Sequence, residues 1–240
     1  MDSIADLLER VRERIAGTCS RSGRAPEEVQ VLAVTKTHGP DVVREAFEAG
    51  LGIAAENKVQ EAAWKIPESP PGVEWHLIVH LQRNKVRAAL EYFTCIHSVD
   101  SPELVRRLDA LAGECGKRPE ILLEVNVSGE STKFGLKPDA LPETIEAALE
   151  ARNLTLSGLM TMAPFSPEPE DARPVFRALR QLRDRMEARY AIALPRLSMG
   201  MSGDFEVAVE EGATWLRLGT VLFGQRPKYR PSPIVENFEP

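Results

Sequence analysis

The chain has 240 residues, of which 43% are hydrophobic and 28% are charged, and its formal net charge is −6. This composition is that of an ordinary globular protein with a sizeable core. The basic residues are spread along the chain, which argues against a nucleic-acid surface, and no apolar run reaches the roughly 18 residues of a membrane span.

The three cysteines, Cys19, Cys95 and Cys115, form no CxxC pair. This spacing predicts neither a disulfide framework nor a metal site, and it suits a reducing compartment. The N-terminal segment is charged throughout and lacks the apolar stretch of a signal peptide. We therefore expect a cytoplasmic protein without a metal, and we expect it to act as a monomer.

The chain begins with an amphipathic pattern in which apolar residues recur at helical spacing from Ile4 to Ile15, which predicts a helix over residues 3–17. After Pro26, short apolar runs alternate with helical patterns. The runs that we interpret as strands are, in order, VQVLAVT, LGIAA, EWHLIV, FTCIHSV, EILLEVNV, LTLSGLM, RLSMG and ATWLRLG.

Eight strands that alternate with helices predict an α/β protein, specifically a closed (β/α)8 TIM barrel over about residues 29–224. The strands are apolar on both faces, as parallel strands covered by helices are. We expect one domain over residues 1–240, with a surface tail at 226–240. The alternative is an open, doubly wound sheet, but the GxGxxG loop that often follows its first strand is absent.

In such a barrel, functional residues lie at the carboxyl ends of the strands. Lys36 follows the first apolar strand, so we expect its stem to be partly buried at the barrel mouth. Burial disfavours the ammonium form, and a neutral lysine amine can attack a carbonyl to form a Schiff base. The alternative is a lysine that reaches solvent or pairs with Glu56.

The segments SMGMSGD and RLGTVLFG follow strands seven and eight, which is the usual phosphate site of this fold. Glycines let the main chain approach a ligand closely, and helix N-termini favour an anion. An amine on strand one that faces a phosphate cradle suits a ligand with both an aldehyde and a phosphate. Pyridoxal 5′-phosphate and a phosphosugar both meet this description.

Seven segments occur in a fixed order between Val29 and Gly224: VLAVTKT, AENKVQEA, WHLIVHLQRNKVR, EVNVSGESTKFG, GLMTMAP, LSMGMSGDFEVAV and RLGTVLFG. In this respect the chain resembles the pyridoxal-phosphate homeostasis proteins, which are similar to the N-terminal domain of alanine racemase. The family usually has glycine where this chain has Ala55 and Val79, and these departures put the local shape of the pocket rim in doubt.

The resemblance implies that pyridoxal 5′-phosphate is bound by residues at the mouth of the barrel. It implies a Schiff base at Lys36, a contact between Arg217 and the pyridine nitrogen, and a position near the ring for Asn57. The residues that it implies for the phosphate are Ser198, Gly200, Ser202, Gly219 and Thr220.

The resemblance also implies a role in vitamin B6 homeostasis, in which the protein holds the cofactor reversibly and passes it to apo enzymes. Alanine racemase takes a second base from a tyrosine of a separate domain. Here Tyr92 and Tyr190 fall in predicted helices, and Tyr229 falls in the predicted tail. We therefore predict no catalytic residues. The alternatives are a small pyridoxal-phosphate-dependent amino-acid racemase and an aldolase-type barrel.

Overall fold

The computed structural model describes residues 2–130 and 134–224. Eight parallel strands close into a barrel in chain order from β1 to β8, which confirms the predicted (β/α)8 fold. The strands are β1 Gln30–Val34, β2 Ile53–Glu56, β3 Glu74–Leu77, β4 Cys95–Val99, β5 Glu120–Glu124, β6 Thr155–Met160, β7 Arg196–Ser198 and β8 Trp215–Leu218.

One helix precedes the first strand, the others follow strands along the chain, and the helices pack on the outside of the barrel. They are α1 Ile4–Ser22, α2 Pro40–Glu48, α3 Val59–Lys65, α4 Val86–Tyr92, α5 Pro102–Cys115, α6 Leu141–Glu150, α7 Arg173–Tyr190, α8 Phe205–Glu210 and α9 Thr220–Phe223. Short 3-10 turns lie at Pro26–Glu28, Ile66–Glu68, Arg83–Lys85, Pro138–Ala140 and Pro169–Ala172.

The N-terminal helix α1 begins at a capping box in which Ser3 and Asp6 bond to each other's main chain. It runs five residues beyond the predicted end and stops at Gly23, which adopts the left-handed conformation with φ +68°. The helix packs beside α8, where Arg14 forms an ion pair with Glu206 at 2.7 Å. The added turn extends the buried face of the helix, because Thr18 and Cys19 are buried.

The barrel closes where β1 pairs with β8, with Gln30 opposite Trp215 and Ala33 opposite Leu218. The residues that follow these two strands therefore emerge side by side at the barrel mouth. This register brings Lys36, two residues beyond β1, close to the loop that begins at Gly219.

The apolar core has two layers. The larger layer lies between the strands and the helices, and the smaller one fills the barrel interior. The inner layer consists of Leu32, Val34, Ala55, Ile78, Cys95, Leu122, Met160 and Trp215. Four buried polar residues share this interior and form the floor beneath the mouth: His76, His97, Ser198 and Arg217.

The predicted tail at 226–240, with Tyr229, lies outside the described residues. Among the residues that the structure describes, no helix is both long and apolar enough to cross a membrane.

Candidate functional site

A pocket of about 450 Å³ opens at the carboxyl ends of the strands. Of the residues predicted from the sequence, six line it: Lys36, Asn57, Ser202, Arg217, Gly219 and Thr220. Residues from the segment after β6 complete one wall, including Met162 and Phe165, whose side chain is 97% exposed. The structure therefore brings residues from both ends of the chain to one cavity.

Lys36 follows β1 in a tight turn whose next residue, Thr37, is left-handed with φ +67°. This conformation is strained for a β-branched residue and persists only where neighbouring groups hold it. The carboxylate of Glu61 accepts a hydrogen bond from the Thr37 main-chain N–H at 2.5 Å. On the other side of Lys36, the ammonium of Lys65 donates to the Thr35 carbonyl at 2.9 Å. The main chain is thus fixed on both sides of Lys36.

Lys65 itself is fully buried at the end of α3, a position that the strand-end reasoning did not reveal. Its Nζ lies 2.5 Å from Glu56 Oε1 and 3.2 Å from Glu61 Oε1. Glu56 also accepts a hydrogen bond from the Thr35 hydroxyl at 2.6 Å. Glu56 was the partner considered for Lys36, but in the structure it forms an ion pair with Lys65.

The segments after β7 and β8 meet at Ser202. Its hydroxyl oxygen accepts hydrogen bonds from the main-chain N–H groups of Gly219 at 3.4 Å and Val221 at 3.2 Å. These N–H groups lie at the start of α9, and in the structure Ser202 already accepts from both of them. Gly203, a glycine of the SMGMSGD segment, also lines the pocket beside Ser202.

Two of the predicted phosphate residues, Ser198 and Gly200, are not among the residues that line the pocket. Ser198 is fully buried, and its hydroxyl contacts Arg217 and His97. Gly200 has φ +93°, and a Cβ there would lie 2.5 Å from the Cβ of Ala208. The assignment of both residues to the phosphate stays a prediction, and the structure gives each of them another contact. Ser198 supports Arg217, and Gly200 lets the turn pack on α8.

Arg217 lies at the floor of the pocket, where its side chain is buried and only 4% of the residue is exposed. Its Nη1 donates to Ser198 Oγ at 2.7 Å, and its Nη2 donates to the Thr161 carbonyl at 2.9 Å. Burial lowers the pKa of this guanidinium to about 10, so it stays charged at neutral pH. A fixed cation therefore faces the pocket from below.

Near the ends of β3 to β5, on the other side of the barrel mouth, lies an acidic group. Glu124 is 2% exposed, and burial, together with the charge of Asp100, raises the pKa of its carboxyl to about 7. Asp100 in turn lies 2.9 Å from Nδ1 of His80, whose ring stacks on Phe134. This group is acidic, in contrast to the cationic floor at Arg217.

The two family departures fall in different places. Ala55 belongs to the fully buried inner core and is not part of the pocket lining, whereas Val79 lines the pocket. The extra bulk at position 79 therefore narrows the rim, and the extra methyl group at position 55 fills the barrel interior.

The buried residues His76, Cys95 and His97 place potential ligand atoms within 4.8 Å of one another. Hydrogen bonds already engage all four ring nitrogens of the two histidines, with Glu74, Ser198 and each other as partners. Hydrogen bonding within the barrel thus accounts for this cluster.

The protein is thus a parallel (β/α)8 barrel with a lysine after β1 and turns containing glycine and serine after β7 and β8 at one pocket. The sequence model of the family described as "Alanine racemase, N-terminal domain" matches residues 8–227. This chain belongs to that family and, within it, to the pyridoxal phosphate homeostasis proteins.

The curated relatives match over nearly their whole length. The pyridoxal phosphate homeostasis protein of Aquifex aeolicus is 46% identical over 92% of this chain and 97% of its own. The protein of the same name from Pseudomonas aeruginosa is 40% identical over 97% of this chain and 100% of its own.

Solved structures agree with the fold. The structure of PipY from Synechococcus elongatus with pyridoxal phosphate bound is 38% identical, has a TM-score of 0.78, and covers 89% of this chain and 100% of its own. An alanine racemase of Clostridium difficile has a TM-score of 0.72 at 14% identity, and the match covers 98% of this chain and 60% of the racemase. The latter likeness concerns the fold alone.

Proposed function

We propose that this protein binds pyridoxal 5′-phosphate, holds it reversibly as a Schiff base with Lys36, and serves cofactor homeostasis rather than catalysis. One observation carries the proposal: Lys36, Arg217, Ser202 and Thr220 line a single pocket. The names of its relatives, and the cofactor-bound structure of PipY, support the same cofactor.

The residues present fit the cofactor chemically. Asn57 lines the pocket, and its Oδ1 is buried without a hydrogen-bond partner among the described residues, as expected of an acceptor that meets a ligand. Ser202, Gly219 and Thr220 suit a phosphate, and the fixed guanidinium of Arg217 suits a ring nitrogen that carries no proton. Bound pyridoxal phosphate supplies an aldehyde that reacts reversibly with amines.

The protein's own residues determine how that aldehyde is held. The Lys65 and Glu61 contacts keep the main chain on both sides of Lys36 in one place at the pocket. Arg217 stays charged, which keeps the ring nitrogen unprotonated and weakens the electron withdrawal on which most amino-acid chemistry of this cofactor depends. These features suit storage better than turnover.

A racemase needs a second base near the substrate carbon. Tyr190 lies at the end of α7, where its hydroxyl bonds to Glu146 at 2.7 Å and to the Pro142 carbonyl. Among the described residues, no tyrosine lines the pocket. The contacts of the Tyr190 hydroxyl support the proposal that the protein carries the cofactor and catalyses no reaction with it.

The test is to add pyridoxal phosphate, reduce the complex with borohydride, and identify the modified peptide. We expect the label at Lys36, and we expect Lys36→Ala to lose it there. The control is the variant Lys117→Ala, which changes an exposed lysine in the turn before β5. This variant should keep the label at Lys36. Labelling of the wild-type protein mainly at another lysine would contradict the assignment of Lys36.

Function is tested by mixing the loaded protein with an apo enzyme that requires the cofactor. We expect the activity of that enzyme to return over time, because a hydrolysable covalent bond permits release. Alanine and serine should be racemised at near-background rates. Racemisation at a kcat of about 1–10³ s⁻¹, the common range of enzymes, would contradict the proposed role.

We also place this protein in the cytoplasm as a monomer. All three cysteines, Cys19, Cys95 and Cys115, are free thiols, which suits a reducing compartment. Size-exclusion chromatography with light scattering tests the monomer, for which the expected mass is 26.6 kDa.

A further inference from the structure

Five side chains form an unbroken series of hydrogen bonds through the barrel interior, which we call the barrel chain: Arg217, Ser198, His97, His76 and Glu74. The four successive distances, starting from Arg217, are 2.7, 2.9, 3.0 and 3.1 Å. The series starts at the pocket floor and ends at Glu74, the first residue of β3, at the opposite end of the barrel.

When both imidazoles are neutral, the chemistry of the two ends gives every hydrogen bond between them a single direction. A guanidinium can only donate, and an ionised carboxylate can only accept. Arg217 therefore donates to Ser198, whose hydroxyl donates to Nδ1 of His97. The Nε2–H of His97 then donates to Nδ1 of His76, and the Nε2–H of His76 donates to Glu74.

Burial supports a neutral imidazole for His97 in this arrangement. Burial, followed by the proximity of His76 and Arg217, holds the pKa of His97 well below its ordinary value. At the far end, the hydrogen bond from His76 lowers the pKa of the Glu74 carboxyl, so this group is ionised at neutral pH. Trp215 packs against both imidazole rings at centroid distances of 5.0 Å and holds them in place.

We propose that Ser198, His97, His76 and Glu74 are positioning residues that orient the Arg217 guanidinium towards the ring nitrogen of the bound cofactor. Hydrogen bonds in a series that all point one way strengthen one another in a low-dielectric interior. The negative charge of Glu74 is thereby coupled to a cation that, among the described residues, donates to a hydroxyl and a carbonyl, while Glu124 and Asp204 act on it through space. The proposal rests on the proposed function, because it takes pyridoxal phosphate as the ligand.

The first test uses the protein without cofactor. Long-range ¹H–¹⁵N NMR spectra distinguish the two neutral forms of histidine, and we expect both His76 and His97 to carry their proton on Nε2 at pH 7. A proton on Nδ1 of either ring, or a charged His97, would overturn the barrel chain. This readout is independent of whether the cofactor binds.

The second test is Ser198→Ala, which removes the hydroxyl between Arg217 and His97. The matched control is Ser157→Ala, a buried serine of β6 that bonds to the Ile121 carbonyl and, among the described residues, forms no hydrogen bond with the barrel chain. We expect Ser198→Ala to shift the visible absorption band of the bound cofactor and to speed cofactor release about tenfold, the effect of a hydrogen bond to a charged group. The control variant should match the wild type in both the visible absorption band and the rate of cofactor release.

The third test is Glu74→Gln, which removes the charge at the exposed end, where the Glu74 side chain is 47% exposed. The control is Glu120→Gln, at the first residue of β5. A band shift in the same direction as in Ser198→Ala supports the proposal, whereas a wild-type spectrum and release rate in both Glu74→Gln and Ser198→Ala overturn it. Failure of the wild-type protein to take up cofactor would instead contradict the proposed function.

Discussion

Glu124 is a carboxyl group buried at the end of β5, and its Oε2 has no hydrogen-bond partner among the described residues. Burial and the nearby Asp100 raise the pKa of this carboxyl to about 7. A carboxyl group whose pKa is raised by burial makes the free energy of unfolding depend on pH, because the folded and unfolded states release its proton at different pH values.

We predict that Glu124→Gln stabilises the protein above pH 7. The pKa of Glu124 is higher in the folded state than in the unfolded state. The folded state is therefore stabilised while this carboxyl is protonated, and that stabilisation is lost as pH rises from about 4.5 to about 7. Glutamine cannot ionise and escapes this loss, which at pH 8 is on the order of 2–3 kcal/mol. Urea unfolding should show this gain at pH 8 and little difference near pH 5, whereas the exposed control Glu143→Gln should show no gain at either pH.

We predict that Lys65→Met destabilises the protein by about 3–5 kcal/mol, because it leaves the buried Glu56 carboxylate without its cation. The double variant with Glu56→Gln should recover part of this loss. Both variants should also bind cofactor more weakly, since Lys65 holds the Thr35 carbonyl next to Lys36. Urea unfolding and cofactor titration measure the two effects, with the exposed Lys117→Met as control. Equal stability of the single variant and the wild type would refute this.

Most of the pocket could be predicted from the sequence, because residues that follow parallel strands share one end of a barrel. Ser198 is the last residue of β7, and the sequence did not reveal that its hydroxyl bonds to Arg217 and His97. Lys65 could not be found in this way. It reaches β1 from α3, and only the tertiary packing determines which helical residue faces a strand end.

At the scale of elements, α7 and α8 are joined by a cluster around Glu211. Arg173, Arg177 and Arg180 all lie within about 3.1 Å of its carboxylate. Burial alone would raise the pKa of Glu211, but hydrogen bonds from these arginines outweigh it and lower the pKa to about 2. The cluster therefore contributes stability that requires an ionised carboxylate.

We predict that the Glu211 cluster makes the protein sensitive to acid. The pKa of Glu211 is lower in the folded state than in the unfolded state. The ionised carboxylate therefore stabilises the folded state above about pH 5, and this stabilisation is lost as pH falls towards 2. Its size is on the order of 2–3 kcal/mol. Glu211→Gln should lower stability at pH 7 and have little effect near pH 2.5. Thermal unfolding at both pH values tests this, and an equal loss at both would exclude the ionic explanation.

The order and type of the helices and strands could be predicted from periodicity, but their ends could not. β5 was expected to reach Val127, yet it ends at Glu124 because the next residues pair elsewhere. Val125 bridges to Leu136, and the Asn126 N–H donates to the Leu136 carbonyl. That pairing joins positions ten or more residues apart, which no local pattern reveals.

For the whole molecule, we predict that pyridoxal phosphate raises stability far more than pyridoxal at the same concentration. A ligand that binds only the folded state stabilises it by about 2.7 kcal/mol at 100 times its Kd. Hydrogen bonds to a charged phosphate are roughly twice as strong as neutral ones, so the phosphate should provide most of the affinity. Thermal unfolding with each ligand measures the difference, and Thr220→Ala should reduce it. Equal shifts for both ligands would contradict a phosphate site at Ser202 and Thr220.

The topology of the whole molecule followed from the alternation of eight strands with helices and the absence of a dinucleotide loop. What the sequence could not indicate is how the barrel interior is filled. Apolar runs predict an apolar interior, whereas the structure has two histidines, a serine and an arginine there, bonded in series. Such a series depends on side chains from four different strands meeting at hydrogen-bonding distance.

The packing of Trp215 against His76 and His97 gives the protein an internal fluorescent reporter. Its indole is 2% exposed and donates to the Gln30 side chain at 2.7 Å, so its emission should be blue-shifted and insensitive to solvent quenchers. A charged imidazole quenches a neighbouring indole, and a bound chromophore at the pocket would accept its excitation energy. Emission from Trp215, isolated by replacing Trp64 and Trp75 with phenylalanine, would therefore follow cofactor loading and histidine protonation without an added dye.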